Sequence, residues 1–151
     1  MPRLDANRVA AWRDMQSLTA ELERRIDVDV REEWDIGLGW FDVLAALQRL
    51  GGSARPVQLA AELRIVASSL SRRLDRLEEE GWVKRHAGRE ATDLRSITVE
   101  LTRRGRQLWR EMNVTYRRAV QHHFAVMLSD AHVAGLRDAL VVLADHLDDA
   151  P

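Results

Sequence analysis

The sequence predicts a mainly α-helical (α+β) chain: a winged helix-turn-helix with a two-stranded wing, set between long N- and C-terminal helices. Three observations predict it. Residues Gln58 to Leu101 read in order as a short helix, a tight turn, a longer helix and a hairpin. Ile97, Val99 and Leu101 alternate with Thr98 and Glu100, the period of a strand with one buried face. The segments on either side carry apolar residues at spacings of three and four, the period of helices with a narrow apolar seam.

Taken in order, Asp5 can cap a first helix running to about Val28, with Trp12, Met15, Thr19, Leu22 and Ile26 as its seam. Val30 to Gly39 is less regular, and Gly37 and Gly39 mark a break. Trp40 to Leu50 is a short helix with Phe41, Leu44 and Leu47 as its core face, ended by Gly51 and Gly52. Ser53 to Pro56 leads into the helix-turn-helix. Its first helix packs through Leu59, Ala60 and Leu63, and Arg64 to Ala67 forms the turn. The second helix, about Ala67 to Glu80, docks through Leu70, Leu74 and Leu77 and stops at Gly81, a residue suited to the left-handed conformation that ends helices. Trp82 and Val83 start the hairpin. Thr102 can cap a long helix to about Leu128, with Trp109, Met112, Tyr116, Ala119, His123 and Val126 as its seam. Ser129 can cap a last helix carrying Val133, Leu136, Leu140, Leu143 and Leu147.

A helix-turn-helix followed by a hairpin offers its second helix to the DNA major groove. At about 100° per residue, Ser68, Arg72, Asp75 and Glu79 oppose the leucine face, flanked by Ser69 and Arg76. Small side chains let a helix approach base edges, and an arginine can fork onto guanine O6 and N7. Glu78, Glu79 and Glu80 would be repelled by phosphates, so contact is expected in the first two turns, Ser68 to Arg76. The same pattern also fits an ordinary amphipathic surface helix. The hairpin and its basic residues favour the DNA-facing reading.

Four strings, FDVLAAL, LAAEL, SSLSRRLDRLEEEGWVKR and DLRSITVELTRRGR, occur here in the order and near the spacing of the MarR family of bacterial transcription regulators, which the chain resembles. The last is the most specific: Asp93-x-Arg95, the alternating strand, then Leu101-Thr102-x-x-Gly105. The resemblance covers Trp40 to Trp109 most strongly. It implies a single MarR-like domain over 1–151, with a winged helix-turn-helix DNA-binding lobe over 40–104 and a helical dimerisation region over 1–30 and 105–149. It further implies a cytoplasmic homodimer that binds a pseudo-palindromic double-stranded operator, as a repressor released by a small molecule. Residue by residue, Ser68, Ser69, Ser71 and Arg72 match recognition-helix positions, Arg95 the wing arginine of the minor groove, and Asp93 the acid that holds it. Arg76 and Arg89 complete the expected DNA-binding set. The chain departs from the family at Val66, where a capping Ser or Asp is usual, and at Arg64, where Gly is frequent. Its wing loop is longer than the family's usual length, so the resemblance does not fix the place of Arg89.

Composition bounds the function. The chain has 151 residues, 46% of them hydrophobic, enough for one domain with a real core. No apolar run reaches membrane-spanning length and the start has no signal-peptide pattern, so cytoplasmic residence and no membrane partner are expected. Cysteine is absent, which removes disulfides, thiolate metal sites and thiol switches. Net charge is −1, yet Arg55 to Arg106 holds 12 basic and 8 acidic side chains, while the remainder holds 11 and 16. Positive charge is thus concentrated on the helix-hairpin unit. No two of His86, His122, His123, His132 and His146 have the one-turn spacing of a helical zinc pair. No phosphate loop or nucleophile elbow appears. No metal, cofactor or enzymatic activity is expected.

Two questions stay open at this level. The terminal seams could close within one chain or between two; the resemblance favours two. Some urate- and phenol-responsive relatives use a first-helix tryptophan and an acid in the following short helix, which Trp12 and Asp42 resemble; with Trp40 and Trp34 they could line a site for a small aromatic or phenolic effector. Packing for Trp12 and solvation for Asp42 explain the same residues. From another class, a winged-helix protein-interaction module without DNA binding fits the acidic Glu78–Glu80 run and the net charge. Arg72, Arg76 and Arg95 weigh against it.

Overall fold

In the computed structural model, which describes residues 3–88 and 97–149, Asp5 accepts the Arg8 backbone N–H at 2.8 Å and opens α1 (Ala6–Trp34). The helix runs past Val28 because its seam does: Val30 and Trp34 follow Ile26 at four-residue steps, and Arg31 pairs with Asp27 one turn back at 2.7 Å. The expected irregular stretch after Val30 is therefore mostly helix, ended at Asp35 with φ 54°. Asp27 also accepts the Leu38 N–H at 2.7 Å, which starts α2 (Leu38–Arg49) earlier than Trp40. That contact spans eleven residues and leaves no mark in local sequence.

Gly51 and Gly52, at φ 89° and 95°, turn the chain back into β1 (Ser53–Ala54). This two-residue strand replaces the expected plain lead-in. It precedes α3 (Pro56–Leu63), α4 (Ala67–Glu79), β2 (Val83–His86) and β3 (Thr98–Leu101). The sheet is antiparallel in the order β1-β3-β2, with Val83 opposite Leu101 and Ser53 opposite Glu100. Then come α5 (Arg103–His123), a 3-10 turn at Ala125–Met127 and α6 (Asp130–Asp148). The break after His123 shortens the helix expected to reach Leu128.

Two cores result. One lies under the helix-turn-helix, where Leu44, Leu47, Leu59, Leu70, Leu74, Leu77, Val83, Val99 and Leu101 are buried together. The other joins the second half of α1 to α2 and α5 through Ile26, Val30, Phe41, Met112 and Ala119. Trp34 Nε1–H donates to Thr115 Oγ1 at 2.9 Å, and His123 Nε2 lies 2.8 Å from Asp29 Oδ2, so polar ties lock the same pair of helices. The α5 seam thus closes within the chain rather than with a partner. The rest stays open: Leu18 is 61% exposed on the first half of α1, and on α6 Val133, Leu136, Leu140, Val141, Leu143 and Leu147 are all exposed.

The string Leu101-Thr102-x-x-Gly105 has a geometric cause. Leu101 is buried in the first core. Thr102 Oγ1 donates to the Gly81 carbonyl at 2.7 Å and accepts the Gly105 N–H at 3.0 Å, capping α5 and tying it to the end of α4. A Cβ at Gly105 would lie 1.9 Å from the Trp82 carbonyl oxygen, backbone that cannot step aside. Gly105→Ala is expected to cost about 3 kcal/mol or more, at the upper end of overpacking effects. Chemical denaturation reads this as a lowered midpoint at unchanged slope; a wild-type midpoint would mean that α5 can shift freely against Trp82.

Candidate nucleic-acid interface

The turn between α3 and α4 is built without the usual residues. Arg64 takes the left-handed conformation at φ 50°, a place where glycine is cheaper, and closes α3 through its N–H onto the Ala60 and Ala61 carbonyls. Val66 opens α4 with no side-chain cap and is 66% exposed. Beyond it, Ser68, Ser71 and Arg72 are exposed on the outer face of α4 and Ser69 is partly so, while Leu70, Leu74 and Leu77 hold the other face in the core. The helix therefore presents a small polar front with one forward arginine, the form that fits a major groove.

Three braces fix this helix, and two of them use residues that sequence pattern did not single out. Arg85 of β2 donates to Asp75 at 2.7 Å and to the Ser71 carbonyl at 3.3 Å, and its backbone N–H donates to Glu78 at 2.9 Å. The rear of α4 thus holds the hairpin against the helix: Asp75 pairs with the Arg85 guanidinium, and Glu78 accepts the Arg85 backbone N–H. Arg73 donates to the Gly39 carbonyl at 3.0 Å, tying α4 to the start of α2. Arg76 lies over the Trp40 ring at 5.4 Å and 3.6 Å from Glu79, which draws it back along the helix from the Arg72 position. Alternation on β2 could have flagged Arg85, since it shares the inward face with Val83; Arg73 has no such signal. Arg89, Asp93 and Arg95 lie outside the described residues.

The residues expected around an effector are not gathered in one chain. Asp42 lines a cleft of about 500 Å³ between α1, α2 and α4, with Glu23, Asp27, Gly39 and Arg73. Burial raises its carboxyl above the ordinary range; Arg73 opposes this and Glu23 adds to it. Trp40 packs against both cores under Arg76. Trp34 packs in the second core and bonds Thr115. Trp12 is 55% exposed and sits eight residues before Ala20, the nearest lining residue of α1; at a rise of about 1.5 Å per residue that is some 12 Å away. Because the Asp42 pKa is raised on folding, its ionisation costs stability that is fully present below the unfolded value and lost as pH rises through the folded one. Asp42→Asn is therefore expected to stabilise the protein at neutral pH, with the gain vanishing under acid conditions. Thermal melts at pH 7 and pH 3.5 check this; destabilisation at pH 7 would show that Arg73 outweighs burial.

Fold and site together define a winged helix-turn-helix protein with a braced, outward-facing second helix. A sequence model of the MarR family matches residues 34–96. Among characterised proteins, it is 32% identical over 106 residues to the HTH-type transcriptional regulator PecS of Dickeya dadantii; the match covers 69% of this chain and 62% of PecS, so the chain spans less than two thirds of that relative. Among solved structures, AbsC, a MarR family transcriptional regulator from Streptomyces coelicolor, superposes with a TM-score of 0.83 at 23% identity, over 99% of this chain and 100% of AbsC. Sco3205, a MarR family regulator of the same organism determined in complex with DNA, gives 0.85 at 24% identity, over 99% and 94%.

Proposed function

We propose that the protein is a homodimeric, sequence-specific transcriptional regulator that binds a pseudo-palindromic operator in the cytoplasm, represses from it and is released by a small molecule. The observation that carries this reading is the outer face of α4, where Ser68, Ser71 and Arg72 are exposed while Arg73 and Arg85 hold the helix rigidly against α2 and the hairpin. A rigid, small-fronted helix with a forked donor is what base readout requires. PecS, a regulator by name, and the DNA complex of Sco3205 support it. Against the protein-interaction alternative, Glu78 of the acidic run is engaged by the Arg85 backbone N–H. The wing residues Arg89, Asp93 and Arg95 are assigned to DNA on the family pattern alone. A small phenolic effector suits the Asp42 cleft, where the Asp42 carboxyl group can accept from a phenol hydroxyl and the Arg73 guanidinium supplies a cation. Trp12 and Trp40 are lesser candidates for that site. Titration of the purified protein onto the promoter DNA adjoining its own gene, against random duplex at equal salt, tests the reading. Selective binding is expected, and equal affinity for both would overturn it.

A further inference from the structure

A wide cleft lies away from the recognition helix, on the outer side of the hairpin where β2 and β3 meet the start of α5. Its volume is about 980 Å³, and Lys84, Arg103, Arg104, Arg106 and Arg110 line it. All five are exposed. Several arginines elsewhere are paired: Arg8, Arg24, Arg25, Arg31, Arg49 and Arg85 each meet a carboxylate. Among the described residues, none of the five cleft cations takes part in an ion pair. The one carboxylate in the cleft, Glu100, is held by His86 at 2.7 Å.

We infer that this cleft takes the phosphate backbone of DNA flanking the operator, on the far side of the wing. Five like charges brought together with a single carboxylate among the described lining residues repel one another, and an external anion relieves that repulsion. The cations span β2 and two turns of α5, too wide for a single phosphate and suited to a run of them. Lys84 lies on the same strand that leads into the wing, and the four residues of β2 span only about 13 Å. A wing placed in a minor groove, which is about 6 Å wide, therefore brings the next backbone within reach of the cleft's lower edge. Arg110 stands two turns further up α5, so filling the whole cleft requires the flank to bend towards that helix, a deformation such contacts can repay. The inference rests on the DNA-binding reading above and extends its footprint.

The test compares two duplexes carrying the same operator, chosen from a random library by the wild-type protein. One ends at the outer edge of the footprint of the wing; the other continues on both sides with arbitrary sequence. Wild-type protein is expected to bind the longer duplex roughly tenfold more tightly or better, with a steeper salt dependence. A Lys84→Gln, Arg103→Gln, Arg110→Gln variant, confirmed as folded by its circular dichroism, is expected to match wild type on the short duplex and to lose the gain on the long one. Six fewer phosphate contacts per dimer would flatten the logarithmic salt slope on the long duplex by about 5. Equal wild-type affinity for both lengths overturns the inference while leaving the operator reading intact. So does a variant that weakens equally on both, because the charges then act inside the core site. Failure of wild type to select any sequence would instead remove the DNA-binding reading itself.

Discussion

Arg72→Ala is expected to cost roughly 2–6 kcal/mol on the specific operator and far less on random duplex. Arg72 is exposed on the outer face of α4, one turn after Ser68, with no ion pair among the described residues to hold it back. A forked contact to guanine discriminates by about 1–3 kcal/mol, and a symmetric dimer makes it once per half-site. On random DNA only phosphate attraction acts, so the salt dependence should hardly move. Arg76→Ala should behave differently. That side chain is stacked on Trp40 and near Glu79, so its loss should weaken both DNAs alike and loosen the joint between α4 and α2. Titration of both variants on both DNAs at two salt concentrations separates the roles. Equal weakening of both DNAs by Arg72→Ala would make it a phosphate clamp and leave base readout to the serines.

Leu140→Asp combined with Leu143→Asp is expected to yield a folded monomer. In the single chain these leucines are 46% and 49% exposed, and α6 buries none of its residues. Two aspartates there cost the protomer little. Brought under a second copy they would be unpaired buried charges, each worth several kcal/mol against association. The dimer dissociation constant should rise by at least about a thousandfold, or roughly 4 kcal/mol. Sedimentation velocity at micromolar concentration reads this directly, and a variant that remains dimeric would place the interface elsewhere. DNA affinity should fall with it, because a monomer reaches only one half-site.

The helix-turn-helix and hairpin were legible because their patterns are local: Leu70, Leu74 and Leu77 at helical spacing, Val99 and Leu101 at strand spacing, and Asp5, Thr102 and Ser129 as caps that form as expected. What escaped was set by contacts distant in sequence. The start of α2 depends on Asp27, β1 exists only because β3 offers it an edge, and the bracing by Arg73 and Arg85 needs α2 and the hairpin already in place. The seams were visible, yet periodicity does not name the partner that covers them. The α5 seam meets the second half of α1 in the same chain, whereas the α6 seam meets nothing there. Of the acidic run that phosphates would repel, Glu78 anchors the hairpin together with Asp75 one turn earlier.

The central claim is that two copies present two α4 helices to one two-fold symmetric site. Its most direct test is the stoichiometry and symmetry of binding: duplexes selected from a random library by the wild-type protein are sequenced, and one is titrated in the ultracentrifuge. The account predicts two protomers per duplex on an inverted repeat whose half-sites lie about one helical turn apart, roughly 10 base pairs. A single protomer on an asymmetric site, or no enriched sequence, would contradict it.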